Sequence, residues 1–138
     1  MVKNGKELNR FELKLQKDIE NLMYENGVKF SVFLPVLRED LPKDKSSTEY
    51  KNKHKAEYLK QLRASFSVEE ISKMLEVLDY KLVLVCNDKN IEPIRRKLGK
   101  TKIKYTDLMA ICELLGITIN WTKTSDRVTS RIFTDLAD

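Results

Sequence analysis

The segment SVEEISKMLEVLDYKLVLV, residues 67–85, sets the architecture of this chain because a complete helix signal is followed at once by a strand signal. Ser67 and Glu70 form the capping-box pattern that begins a helix. Tyr80–Cys86, YKLVLVC, is rich in β-branched and aromatic residues and predicts a buried strand. Apolar residues recur between the two at helical spacing and predict one packed helix face. They are Val68, Ile71, Met74, Leu75 and Leu78.

The same pattern returns thirty-seven residues later, in KYTDLMAICELLGITINWT from Lys104. It predicts a helix over Tyr105–Leu115, ended by Gly116, and then a short strand over Ile117–Trp121. The two segments indicate either a repeated unit or the chance similarity of a common element, and the sequence leaves both open. The matched positions are Glu70 with Asp107, Ile71 with Leu108, Met74 with Ile111, Glu76 with Glu113, Leu78 with Leu115, and Tyr80 with Ile117.

The part of the chain before this repeat is mainly helical by the same criteria. Apolar spacing predicts a helix over Glu7–Glu25, with Gly27 just past its end. The segment Val28–Leu37 fits either an alternating strand or a short helix capped by Ser31. Arg38–Thr48 has loop chemistry, and Thr48 is the expected N-cap of a charged helix that ends near Ala64.

Length and composition place the chain among ordinary globular proteins. With 138 residues, 41% hydrophobic and 34% charged, it is expected to fold as a single domain, residues 1–138. The alternative is two lobes, residues 1–86 and 87–138. The predicted class is mainly α with short β-strands, and a last helix is expected from Ser125, with Ile132, Phe133 and Leu136 on its apolar face.

A cytoplasmic location without a membrane partner is expected. No run of eighteen apolar residues is present, and residues 1–9 are polar and unlike a secretory signal. Cys86 and Cys112 lie far apart without nearby histidines, which favours buried, reduced thiols over a disulfide or a metal site.

The strongest polar feature is the basic segment IRRKLGKTKIK, residues 94–104, which contains no acidic residue. In a chain of net charge +5, such a cluster favours a polyanionic partner, above all duplex DNA. If residues 91–98 form a recognition helix, Arg95 and Arg96 would reach base edges, while Lys100 and Lys102 would hold phosphates. Lys97 and Lys104 complete the cluster. The alternatives are a solvated basic turn or a patch for an acidic protein.

A second basic run, KNKHKAEYLKQLR, begins at Lys51. On a helix, Lys51 and Lys55 share one face. Such a run usually marks an exposed helix surface, and a second contact with nucleic acid or with a protein partner is the alternative.

The sequence predicts neither an enzyme nor a cofactor or metal site. His54 is the only histidine, so every histidine-dependent triad or zinc site would have to use it. The carboxylates are scattered among turns and caps, and none of the four glycines lies in a phosphate-binding motif.

The stretch GKTKIKYTDLMAICELLGITINW from Gly99 resembles the closing part of the helix-turn-helix domain of Cro-like and other phage-type repressors. The resemblance implies a helix-turn-helix-like helical domain with a small strand pair, and contact with DNA through the basic turn. The segment from Ser67 resembles the same region more weakly. The chain departs from the family ahead of Ile91, where two helices are expected and YKLVLVC stands instead. The residues that fit are Gly99, Lys100, Leu108, Ile111, Leu115, Gly116 and Ile117.

Three functions follow as hypotheses. The first is a DNA-binding regulator of phage or mobile-element type, which could dimerise through its last helix to double its DNA contacts. The second is a phage-encoded inhibitor that binds a host nucleic-acid enzyme or defence protein, for example of anti-CRISPR type. The third is a structural protein without a ligand.

Overall fold

The computed structural model describes residues 2–3, 6–86, 93, 102–125 and 133–135. The chain is mainly α-helical with short strands, as predicted, and it forms two compact units, Met1–Phe66 and Ser67–Asp138. The sequence suggested a lobe boundary after residue 86. The observed division falls earlier, because the strand Tyr80–Val85 pairs with two strands of the second unit.

The first unit is built around two long helices that both follow side-chain caps. Asn9 and Glu12 cap the first helix reciprocally, at 2.9 and 2.8 Å, so it begins later than the predicted Glu7. Ser47, rather than Thr48, caps the other through a bond from the Tyr50 N–H. The elements are β1 (Val2–Lys3), β2 (Lys6–Glu7), α1 (Arg10–Asn26), a 3-10 helix (Phe30–Phe33), α2 (Leu34–Leu37) and α3 (Thr48–Arg63).

The ambiguous segment Val28–Leu37 is helical from Phe30 onward. Ser31 lies inside the 3-10 helix and does not cap it, since the residue before that helix is Lys29. Pro35 stands in the first turn of α2, where its missing N–H costs little. The helical form is favoured because it buries the large apolar side chains of Phe33 and Leu34 in the core of the first unit. The fully buried side chains of that core include Leu15, Ile19, Phe33, Leu34 and Phe66.

In its described residues, the second unit joins the helices α4 (Val68–Val77) and α5 (Tyr105–Leu115) to an antiparallel sheet. Ser67 and Glu70 form the predicted capping box, at 3.1 and 3.0 Å, and Gly116 takes the predicted left-handed cap at φ 70°. The strand order is β4-β3-β5. The elements are α4 (Val68–Val77), β3 (Tyr80–Val85), α5 (Tyr105–Leu115), β4 (Thr118–Lys123) and β5 (Phe133–Asp135).

The register of the second unit supports the repeated-unit interpretation. Residues that match between the two segments pair directly with each other at two places: Ser67 with Lys104, and Val83 with Asn120 at the middle of the β3–β4 ladder. A position that pairs with its own equivalent lies on a local two-fold axis. We therefore name α4–β3 the first repeat and α5–β4 the second repeat.

The predicted last helix is wrong at Phe133–Asp135, which form β5. These residues pair antiparallel with β3, from Val85 opposite Phe133 to Val83 opposite Asp135. The second edge of β3 carries backbone N–H and C=O groups that need partners, and aromatic and β-branched residues suit a strand. That distant pairing outweighs the local helical spacing. The predicted helix residues 126–132 and 136 lie outside the described part of the chain.

Candidate nucleic-acid interface

Lys102 and Lys104 are the described end of the basic segment, and both are exposed. Between them Ile103 is half-buried, and its carbonyl oxygen accepts a hydrogen bond from the Val68 N–H at 2.9 Å. The antiparallel bridge of Lys104 with Ser67 fixes the same backbone. Both exposed lysines therefore extend from a backbone segment that is anchored to the start of α4.

The start of α5 adds to the positive potential at this point. Lys104 is its N-cap residue and makes no side-chain cap, so the partial positive charge of the helix N-terminus adds to the charge that this residue carries. Asp107 in the first turn is the only acidic residue of that turn and offsets part of this charge. The arrangement attracts anions such as phosphate.

The lysines of α3 divide into free and engaged groups. Lys51 and Lys55 are exposed, and no ion pair to either appears among the residues that the structure describes. Lys53 contacts the carboxylates of Asp40 and Glu49, each at 2.9 Å. Lys51 and Lys55 are therefore available to a partner, whereas Lys53 serves the structure of its own unit.

Sequence reasoning missed the ion-pair cluster beside this helix. Arg38 and Lys53 both contact the Asp40 carboxylate, and hydrogen bonds first from Arg38 and then from Lys53 hold the pKa of Asp40 well below its usual range. Hydrogen bonds to Asp40 first and then to Glu57 raise the pKa of Arg38. The segment Arg38–Ser47 is a loop, as predicted, but charge anchors its start to α3. Residues so far apart in sequence gave no local signal for this.

His54 and the cysteines are packing residues. The imidazole is half-buried, stacks on Tyr58 at 6.3 Å and meets the Phe30 ring edge-on at 6.1 Å. Cys86 and Cys112 are buried free thiols, and burial raises the pKa of Cys112 to about 11. No group of three or more potential metal ligands occurs in the described ranges.

The structure does not gather all the predicted site residues. Lys51 and Lys55 belong to the first unit, and Lys102 and Lys104 belong to the second. The predicted recognition helix, residues 91–98, is described only at residue 93. Arg95, Arg96, Lys97 and Lys100 lie outside the described residues.

No protein-family model, curated protein or solved structure matches the chain. Within the described residues, no helix is both long and apolar enough to cross a membrane.

Proposed function

We propose that the chain is a cytoplasmic DNA-binding regulator of phage or mobile-element type, whose basic segment, residues 94–104, contacts duplex DNA. The observation that carries the proposal is the acid-free segment with six basic residues, which ends in two exposed lysines on an anchored backbone. Such a surface releases counterions when it meets phosphates. In this proposal, Lys100, Lys102 and Lys104 contact phosphates of the DNA backbone, and Arg95 and Arg96 contact base edges.

A mobility-shift titration on mixed-sequence duplex DNA at several salt concentrations tests this function. The double variant Arg95→Glu/Arg96→Glu should weaken binding at least tenfold, on the order of one lost bidentate contact. The matched control is Lys17→Glu/Lys29→Glu, which makes the same charge change at two exposed lysines outside the basic runs. Equal loss in both variants, or no binding by the natural chain at low salt, contradicts the proposal.

A second candidate is a phage-encoded inhibitor of a host nucleic-acid enzyme or defence protein, of anti-CRISPR type. The observation that favours it is the exposure of Tyr24 and Leu114, large side chains that are 88% and 86% accessible. Exposed aromatic and apolar side chains suit protein contacts better than phosphate contacts. Capture of a host protein that survives nuclease treatment, and that is lost in Tyr24→Ser or Leu114→Ser, would favour this function over the first.

A further inference from the structure

The outer edge of β4 carries backbone groups that pair with no other described residue. The Thr124 N–H donates to the Asp79 carbonyl oxygen at 2.8 Å, which continues the β3–β4 ladder by one position. Because the backbone groups of an antiparallel ladder alternate in direction, those of Thr118, Asn120, Thr122 and Thr124 face β3. The backbone groups of the remaining residues project from the opposite edge. These outer-edge residues are Ile119, Trp121 and Lys123.

The equivalent edge in the first repeat is occupied. There β5 covers the outer edge of β3, with Leu84 opposite Thr134. Leu84 corresponds to Trp121 under the repeat that relates Val83 to Asn120. In the part of the chain that the structure describes, no strand lies on the outer edge of β4. The repeat therefore has two equivalent strand positions, and β5 fills one of them.

The helix of the second repeat is also less covered than its counterpart. Leu114 is 86% exposed, whereas the matching Val77 is half-buried. Ile111 is half-buried, whereas the matching Met74 is 1% exposed. The second repeat thus leaves open, on both its strand and its helix, positions that the first repeat covers. An uncovered strand edge and apolar helix positions in one small unit are typical of an association surface.

We infer that the outer edge of β4 pairs with the β4 strand of a second copy of this chain. A strand on a two-fold axis is antiparallel to its own copy, so one surface satisfies both partners. A ladder centred on Trp121 pairs the outward groups of Ile119 with those of Lys123 and sets no lysine opposite another lysine. The strand contains no proline, and its one charged residue, Lys123, is its last residue and not a central one. The result is a continuous sheet of order β5-β3-β4-β4-β3-β5.

The test compares two substitutions at the same residue. One removes the backbone N–H group, and the other only shortens the side chain. Ile119→Pro deletes an outward N–H, while Ile119→Ala shortens the same side chain and keeps it. The natural chain and Ile119→Ala should show twice the 16.2 kDa chain mass by light scattering, and Ile119→Pro should show the chain mass itself. Lys123→Pro against Lys123→Ala repeats the comparison at an exposed residue, in case the half-buried Ile119 is needed for folding.

Amide hydrogen exchange on the natural chain gives a second readout. The outward amides of Ile119, Trp121 and Lys123 should exchange as slowly as the inward amides of Asn120 and Thr122. Dilution should speed exchange only at the outward amides, because it separates the two copies. A monomer at all concentrations overturns the inference, whether those amides exchange fast at a free edge or slowly beneath another segment of the chain. Equal masses for the proline and alanine variants also overturn it.

Discussion

Glu57 carries the most deeply buried charge of the first unit. Its side chain is 1% exposed, and its two carboxylate oxygens lie 3.3 Å from Arg38 Nη1 and 3.1 Å from Lys60 Nζ. A buried carboxylate is costly unless opposite charge compensates it. Both cations are themselves partly exposed, so they neutralise Glu57 without being fully desolvated. Arg38 thus joins the loop before α3 to the core of the unit.

Removing Arg38 is expected to destabilise the chain strongly. Arg38→Met keeps the aliphatic stem and leaves Glu57 with one cation, so the free energy of unfolding should fall by about 3 kcal/mol. The matched control is Lys14→Met, which breaks the exposed pair with Asp18 at 2.9 Å. That change should cost less than about 0.5 kcal/mol. Urea unfolding followed by circular dichroism measures both, and equal effects would show that Glu57 does not depend on Arg38.

The buried thiol of Cys112 is expected to lower the free energy of unfolding at alkaline pH. Burial raises the pKa of its thiol from 9.0 to about 11, so the folded state holds the proton more tightly than the unfolded state. The resulting stabilisation is fully present below pH 9 and is lost as the pH rises from about 9 to 11. Its size is about 2 to 3 kcal/mol. Urea unfolding between pH 7.5 and 11 in reductant should show a steeper decline for the natural chain than for Cys112→Ala, and parallel declines would contradict the assignment.

The helices α1, α3 and α4 begin where short polar side chains accept hydrogen bonds from their first turns. Asn9 with Glu12, and Ser67 with Glu70, satisfy backbone N–H groups that a helix leaves unpaired. At the other ends, Gly27 and Gly116 adopt positive φ, where a Cβ is unfavourable. These signals lie within a few residues of each boundary. They mark the start of α1 and α4 and the end of α1 and α5.

The caps should have a measurable effect on stability. Ser67→Ala and Asn9→Ala each remove the side-chain oxygen that accepts an N–H of the first turn, so each should lower the free energy of unfolding by about 1 kcal/mol. Ser31→Ala is the control, because Ser31 is exposed and lies within the 3-10 helix rather than at a cap. Chemical denaturation is again the measurement. A control that costs as much as the cap variants would assign the loss to something other than capping.

For the molecule as a whole, a net charge of +5 combines with basic residues that are unevenly engaged. Lys53 and Lys60 contact carboxylates of their own unit, and Lys102 and Lys104 stand exposed at the anchored end of the basic segment. Exposed cations near a polyanion contribute through counterion release more than through any single contact. The distribution of free charge therefore matters more to the proposed function than the net charge does.

The salt dependence of DNA affinity should show which exposed lysines contact phosphates. The slope of log K against log salt should become shallower by about 0.9 in Lys102→Ala, since one phosphate contact is lost. Lys29→Ala, at an exposed lysine outside both basic runs, should leave the slope unchanged. The same experiment on Lys51→Ala decides whether α3 adds a second contact. An unchanged slope in Lys102→Ala would remove the described end of the basic segment from the interface.

Features encoded by neighbouring residues were predictable from the sequence. The helix over Tyr105–Leu115, the capping box at Ser67 and the strand at Tyr80 were each predicted from a few adjacent residues, and the structure confirms them. Of the predicted site, the sequence identified Lys102 and Lys104, and the structure added their exposure and the anchoring of the backbone that carries them. Helix spacing and capping involve contacts within one or two turns, so the local sequence is sufficient for them.

Contacts between distant residues became visible only once the chain was folded. Three features join residues that are far apart in the sequence. They are the contact of Arg38 with Glu57, the symmetric register of β3 with β4, and the pairing of β3 with Phe133–Asp135. At Phe133–Asp135 the helical spacing predicted the wrong element. Pairing with β3 satisfies the backbone groups of both strands, whereas a separate helix would leave that edge of β3 without this partner. Local patterns thus fix where helices begin and end, whereas pairing between strands and between buried charges depends on which surfaces folding brings together.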